Sequence, residues 1–379
     1  MKMNFEFTEE QIDLKNEVIA FAKRELNDHE DIGFSREKWE KCVEFGLIGM
    51  NIGIQYGGME LDYLSSALLL ESLGYGCEDN GFVFAITNHL WVCQNVLNKY
   101  GSKKLKEKYL PSLVKGKYIG CFAITEADSG SDTFSMNTYA VKENNYYLLN
   151  GSKMFISNAP IADVFIVVAK TTDVPGVKKF TAFMVEKDFE GVTVGKRIEK
   201  MGLTSCPMAE ITLNNCKVPA ENIVYEVNKG TKVANYSLQM ERIFEFASHI
   251  GAMERIMENC IQYVNDRKQF GKPIKEYQSL ANMIAEMKVK IELGRTYLYK
   301  VAWMVDQGKN VFLEASIFKL FVSESYVKTC LDAVQIHGAY GYSKEYNMER
   351  ELRDSVGATI YSGTSEIQKN IIFKMVDIL

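Results

Sequence analysis

The sequence predicts an α+β chain in three parts: an N-terminal helical domain over residues 1–120, a middle β domain over 121–230 and a C-terminal helical bundle over 231–379. Three observations predict it. Apolar residues recur at helical spacing up to about residue 120. Short β-branched and aromatic runs between turn residues then take over as far as Val227. Helical periodicity returns after that and continues to the end.

The first helix is announced by "TEEQ" at Thr8, a capping box with Gln11 three residues on. Ile12, Val18, Ile19, Ala22 and Leu26 continue it as an apolar stripe. Further helices are expected at "REKWEKCVEFGLIGM", "SSALLLESLGYG" and "KKLKEKYLPSLV", with "QYGGMELD" as an intervening glycine loop. In the middle part, "NNYYLLNGSKMFISNA" predicts a hairpin turning near Asn150-Gly151. "ADVFIVVAKT", "KFTAFMVEK" and "AEITLNNCKVP" predict strands. A long helix is expected from "TKVANYSLQMERIFEF" onward, followed by helices over 279–307 and 311–337.

Composition narrows the function. A net charge of −5 gives no electrostatic basis for binding nucleic acid or an anionic membrane. No apolar run reaches membrane-spanning length, and "MKMNFEFTEEQ" does not read as a signal peptide. Eight scattered cysteines without a C-x-x-C pair, and four histidines, suggest buried thiols in a reducing cytoplasm rather than disulfides or a metal site.

The run "YSGTSEIQ" (361–368) suits close contact with a ligand, because Gly363 permits backbone approach and its neighbours supply hydroxyls. With "QYGG" (55–58), "AITEADSGSD" (123–132), "GSKMFISNA" (151–159), "RKQFGKPIKEYQ" (267–278) and "QIHGAYGY" (335–342), it makes six motifs in order along the whole chain. The set resembles the acyl-CoA dehydrogenase family, flavoproteins with a helix–β–helix build.

The resemblance implies FAD, with Phe122, Ile124, Thr125 and Ser131 on one flavin-contacting segment and Phe155, Ile156 and Ser157 on another. Phe155 stands where the family often has Trp, and Ser157 where a hydroxyl meets flavin N5. Arg267, Phe270 and Gln278, with Gln335, Ile336, His337, Gly338 and Ala339, resemble segments that hold the ADP half, in the family from a neighbouring subunit. His337 and Ala339 replace the more usual Phe and Gly. Thr364 and Glu366 join the implied cofactor contacts, and Ser131 and Gly363 those of the substrate.

Family chemistry removes an α-proton from an acyl thioester while a β-hydride passes to flavin. Many members place the basic glutamate where Ser362 stands here. A smaller group, including isovaleryl-CoA dehydrogenase, carries it on a helix immediately before an arginine, and Glu241-Arg242 matches that placement. The resemblance therefore implies Glu241 as base and the Ser362 backbone N–H as donor to the thioester carbonyl, with Arg242 beside the substrate. Gln239 departs from the Asp that relatives often place near the pantetheine arm. Glu245, one turn beyond Glu241, stands where relatives are apolar. Two readings of it stay open: a solvent or subunit-interface residue, or a carboxylate that receives a substrate ammonium such as that of an aminoacyl thioester. Prolyl-carrier-protein dehydrogenases of the family resemble the Glu241 base placement.

The implied reaction is FAD-dependent dehydrogenation or oxidation of a small acyl or aminoacyl thioester, on coenzyme A or a carrier protein. A homotetramer is expected, passing electrons to an electron-transfer flavoprotein or oxygen. Two rivals remain: a flavin oxidase or monooxygenase acting on a non-thioester, and a flavin-binding assembly protein without chemistry.

Overall fold

The computed structural model describes residues 6–27, 33–171 and 179–376, so the first five residues of the opening stretch lie outside it. In chain order the helices are α1 (Glu9–Glu25), α2 (Arg36–Glu44), α3 (Tyr63–Gly76), α4 (Asn80–Asn88), α5 (Asn95–Tyr100) and α6 (Lys103–Val114). After the β region come α7 (Gly230–Asp266), α8 (Gln278–Asp306), α9 (Phe312–His337), α10 (Ala339–Tyr342), α11 (Met348–Gly357) and α12 (Ser365–Val376). The strands are β1 (Gly120–Ala123), β2 (Tyr139–Glu143), β3 (Tyr146–Ser157), β4 (Val164–Lys170), β5 (Phe180–Glu186), β6 (Val192–Val194), β7 (Met208–Pro219) and β8 (Ile223–Val224). A small hairpin, β9 (Lys268–Gln269) and β10 (Lys272–Pro273), lies between α7 and α8. The chain packs as two compact units.

One unit holds residues 6–27, 62–83 and 242–376 and is helical. The predicted capping box is present, with Thr8 Oγ1 accepting from the Gln11 N–H and Gln11 Oε1 from the Thr8 N–H. Two glycines let α3 and α7 cross with their backbones in contact. A Cβ on Gly74 would collide with the Ser248 carbonyl, and one on Gly251 with the Glu71 carbonyl. That crossing fixes the turn of α7 that follows Glu245. Arg255 then caps α3, donating to the Gly74 and Cys77 carbonyls while pairing with Glu351 at 2.8 Å.

The other unit, residues 33–61, 84–171 and 179–241, is built on an eight-stranded sheet in the order β6-β7-β3-β2-β4-β5-β8, with β1 parallel to β4. Alternation along β4 decides the two sides. Val164, Ile166 and Val168 face Leu97, Leu105, Leu110 and Leu113 from α5 and α6. Phe165, Val167 and Ala169 pack with residues of β3, β5 and β7. A strand covered on both faces needs a continuous apolar run, which is what "VFIVVA" is.

The hairpin prediction needs correction. The turn is Asn144-Asn145, joining Glu143 to its partner Tyr146, and Asn144 has φ 49°. Asn150-Gly151 lies inside β3, where the register against β7 shifts. Gly151, with φ 140°, is there because a Cβ would strike Thr138. The Asn-Gly signal marked a bulge rather than a turn. Elsewhere α8 and α9 fall within one residue of their predicted ranges, and all eight cysteines are buried and free.

Between α4 and α5 a π-helical segment, His89–Gln94, abuts the start of β1. His89 is fully buried, and its Nδ1 accepts from the Gly120 N–H at 2.9 Å. A protonated ring could not accept there. Burial drives its pKa down from 6.5 to about 3, and His249 is lowered to about 3 as well, by burial and by the nearby Lys319 charge. Unfolded, both rings take up protons below pH 6.5; folded, neither does until about pH 3. Their contribution is complete above the unfolded pKa and is lost as pH falls from 6.5 toward 3. The urea midpoint should therefore drop between pH 6.5 and 5, before carboxylates titrate. A flat midpoint over that interval would contradict the buried, neutral state of these rings.

Candidate active site

Glu241, Arg242, Glu245 and His249 share α7, and at about 100° per residue they fall within one stripe roughly 100° wide. Glu241 is partly exposed, as is Gln239 one half-turn before it. Arg242 is buried at 3% exposure, with its guanidinium 5.6 Å from the Phe312 ring. Glu245 is fully buried at 0%. That overturns the solvent or subunit-interface reading of Glu245.

The same stripe grips the 361–364 loop. Arg242 Nε donates to the Ser362 carbonyl at 3.0 Å, and Gln368 Nε2 donates to it at 3.0 Å from α12. His249 Nε2 and the Tyr361 hydroxyl are 2.6 Å apart, with the imidazole stacked on Tyr326. Ser362 takes φ 58° and Gly363 φ 92°. A left-handed serine costs on the order of 1 kcal/mol, so the surrounding bonds must hold it there. These contacts hold the loop at the position whose N–H the family resemblance assigns to the thioester carbonyl. Thr364 Oγ1 caps α12 by accepting from the Ile367 N–H at 3.3 Å, and Glu366 is exposed in that first turn. Hydrogen bonds from its own N–H and from the Thr364 hydroxyl hold the Glu366 carboxyl below its usual range.

In the sheet-based unit, Phe122 lies on β1, and Ile124 and Thr125 follow the end of that strand at Ala123. The Met154 N–H donates to the Thr125 carbonyl at 2.8 Å, which ties this segment to β3. Beyond Lys153 the β3–β7 register shifts again, so Phe155, Ile156 and Ser157 begin at a bulge. Phe155 takes φ 61° and is 55% exposed, while Ile156 is buried and Ser157 partly so. Phe155 is thus an aromatic residue held left-handed at a bulge and turned outward. Ser131 lies exposed on the loop that follows Thr125.

The remaining predicted segments also meet. Phe270 and Gly271 turn the β9–β10 hairpin with φ 50° and 81°, a pair of positive values that suits a tight two-residue loop. Phe270 is 94% exposed at its tip, and Gln278 is exposed at the start of α8. Arg267 sits 5.7 Å from the Tyr340 ring. Tyr263 stacks on His337 with ring centres 4.2 Å apart and donates to its carbonyl at 3.2 Å. Gly338 follows with φ 61° and ψ −135°, which only glycine adopts readily. Ile336 is buried, and Gln335 and Ala339 are exposed on either side of the turn.

Sequence reasoning missed His249, Gln368 and Lys153. Lys153 carried a signal, since it shares inward parity on β3 with Tyr147 and Leu149. His249 carried none, and Gln368 only its place at the end of the "YSGTSEIQ" run. Hydroxyls and backbone donors on the 122–157 segments, and a guanidinium with an open glycine turn on the 267–339 segments, are the donor sets that the flavin and pyrophosphate halves of FAD require.

Comparison with known proteins agrees. The family models of the acyl-CoA dehydrogenase N-terminal, middle and C-terminal domains match residues 8–117, 121–216 and 228–376. The chain is 37% identical over 375 residues to the L-prolyl-[peptidyl-carrier protein] dehydrogenase of Serratia sp. (strain ATCC 39006), covering 98% of this chain and 97% of that one. It superposes on the prolyl acyl carrier protein oxidase AnaB with a TM-score of 0.96 at 43% identity, covering 98% and 100% of the two chains. On the FAD complex of PigA the TM-score is 0.95 at 37% identity, covering 99% of each. This chain belongs to the acyl-CoA dehydrogenase family and is an enzyme that uses FAD to dehydrogenate the CH–CH bond of an acyl thioester.

Proposed function

We propose that the substrate is a prolyl group held as a thioester on a carrier protein, and that the product is a dehydroprolyl or pyrroline thioester. The observation that carries this reading is the complete burial of Glu245 one turn from Glu241. A prolyl ammonium placed beside that carboxylate would form a charge-assisted hydrogen bond with it, which a branched acyl tail cannot do. The names of the Serratia relative and of AnaB support the same substrate class.

In this reading Glu241 takes the Cα proton and holds it on its carboxylate. The Ser362 N–H, fixed in its loop, donates to the thioester carbonyl as charge develops there. Arg242 keeps that loop in place, and Gln239 lies toward the pantetheine arm. Bound FAD supplies the acceptor for the Cβ hydride. Loss of the proton and the hydride leaves a carbon–carbon double bond, with the electron pair on the cofactor. Isobutyryl-CoA, isovaleryl-CoA and prolyl-carrier protein should be mixed anaerobically with the enzyme. Fast bleaching of the yellow colour by the prolyl thioester is expected. Bleaching by the branched acyl-CoA alone would refute the prolyl assignment. Readmitting air then separates oxygen from an electron-transfer flavoprotein as acceptor, by oxygen consumption.

The assembly we propose is a cytoplasmic homotetramer in which Arg267, Phe270, Gln278 and the 335–339 turn reach a neighbour's FAD. The hairpin tip supports this, since Phe270 is 94% exposed there beside the Tyr277 ring and presents an aromatic face to a neighbour. Among the described residues no helix is long and apolar enough to cross a membrane. Arg267→Ala should weaken FAD retention and subunit association together, read by gel filtration and absorbance at the flavin band. A variant that keeps both would remove Arg267 from the site.

A further inference from the structure

We propose that the buried Lys153–Glu126 pair positions the flavin, by locking together the two segments that face it. The inference rests on assigning residues 122–131 and 155–157 to the flavin. Lys153 is fully buried, and its ammonium donates to Glu126 Oε1 at 2.8 Å and to the Ile124 carbonyl at 3.1 Å, with Met136 Sδ at 3.4 Å. Thr125 therefore stands between two residues that one lysine holds.

Glu126 carries the lock to the far end of the loop. Its Oε2 accepts from the Asn137 N–H at 2.6 Å and its Oε1 from the Thr138 N–H at 2.9 Å. Its backbone also exchanges hydrogen bonds with Ser129 in both directions, which closes the turn leading to Ser131. On the lysine side, Met154 is bonded to Thr125 and the bulge at Phe155 begins one residue later. One ion pair thus sets the start of the loop, its return and the strand that presents the aromatic residue.

The protonation states agree with this geometry. Burial pulls the Lys153 pKa down to about 8 although Glu126 lies beside it, so the ammonium persists at neutral pH. Burial works against the Glu126 charge, but the lysine together with the bonds from Thr138 and Asn137 outweighs it and the carboxyl is held low. Generic stability would be met by apolar side chains of the same volume, which often replace a buried pair at no loss. The pair instead joins three separate backbone groups, the Ile124 carbonyl and the Asn137 and Thr138 N–H, of one ligand-facing loop, as a support for binding residues must.

The test is the double variant E126Q/K153M, which removes both charges and keeps the volume. Its apoprotein should fold, as judged by circular dichroism and a cooperative melt. Its FAD dissociation constant should rise about tenfold or more, with a shifted visible flavin spectrum. The control R255M/E351Q removes another buried pair and should change the melt without changing FAD affinity. FAD affinity within about twofold of wild type in the folded double variant would overturn the proposal. So would an affinity loss that tracks the melting temperature in both doubles alike. Should the double variant fail to fold, hydrogen exchange on the wild-type apoprotein decides. Met154, Asn137 and Thr138 amides protected before FAD is added support a preformed lock, and open-chain exchange there refutes it. Phe155→Ala separates the two levels: if it leaves FAD affinity intact, the assignment of the flavin-facing segments has failed rather than the lock.

Discussion

A Glu241→Gln enzyme should stay yellow and lose anaerobic flavin reduction by a factor of about 10²–10⁴, the usual worth of a general base. Glutamine keeps the shape and the hydrogen-bonding capacity of glutamate but cannot accept a proton at neutral pH. At about 1.4 kcal/mol per tenfold, that loss corresponds to roughly 3–5 kcal/mol of barrier. Ser362→Ala should be mild by comparison, because the donor at that position is the backbone and its carbonyl is held by Arg242 and Gln368. Alanine tolerates the left-handed conformation no better than serine, so the loop is not relieved either. Moving the carboxylate, with Glu241→Ala and Ser362→Glu together, should recover part of the activity. Greater damage from Ser362→Ala than from Glu241→Gln would show the base assignment to be wrong.

Much of the fold was legible because long amphipathic helices and two-sided strands leave strong periodic marks. The lengths of α8 and α9 follow directly from their apolar stripes. The failures came where tertiary contact overrode a local signal. Asn150-Gly151 has the chemistry of a turn, yet Thr138 presses on Gly151 and the strand continues through it. The left-handed backbones of Phe155 and Ser362 were illegible, since neither residue type announces φ near 60°. Site residues were found through ordered motifs, whereas His249 and Gln368 act through contacts with Tyr361 and Ser362 that lie 112 and 6 residues away along the chain. Burial of Glu245 was undecided in the sequence, because a helical glutamate reads the same whether it faces solvent or core.

That burial sets the second large effect. Glu245→Gln should slow oxidation of a prolyl thioester by roughly one to two powers of ten, since a hydrogen bond to a charged group is worth about 1.5–3 kcal/mol. The amide still fits the cavity and still bonds, so the fold should persist and the loss should fall on the substrate ammonium. Isobutyryl or isovaleryl thioesters have no ammonium, so the same substitution should leave their reaction unchanged or faster, as a buried charge beside the proposed base is removed. The decisive quantity is the ratio of the two rates in wild type and variant. An equal slowing of both substrates would make Glu245 structural. Rapid reduction of the wild-type flavin by isovaleryl-CoA, with none by prolyl-carrier protein, would return the enzyme to branched acyl chemistry.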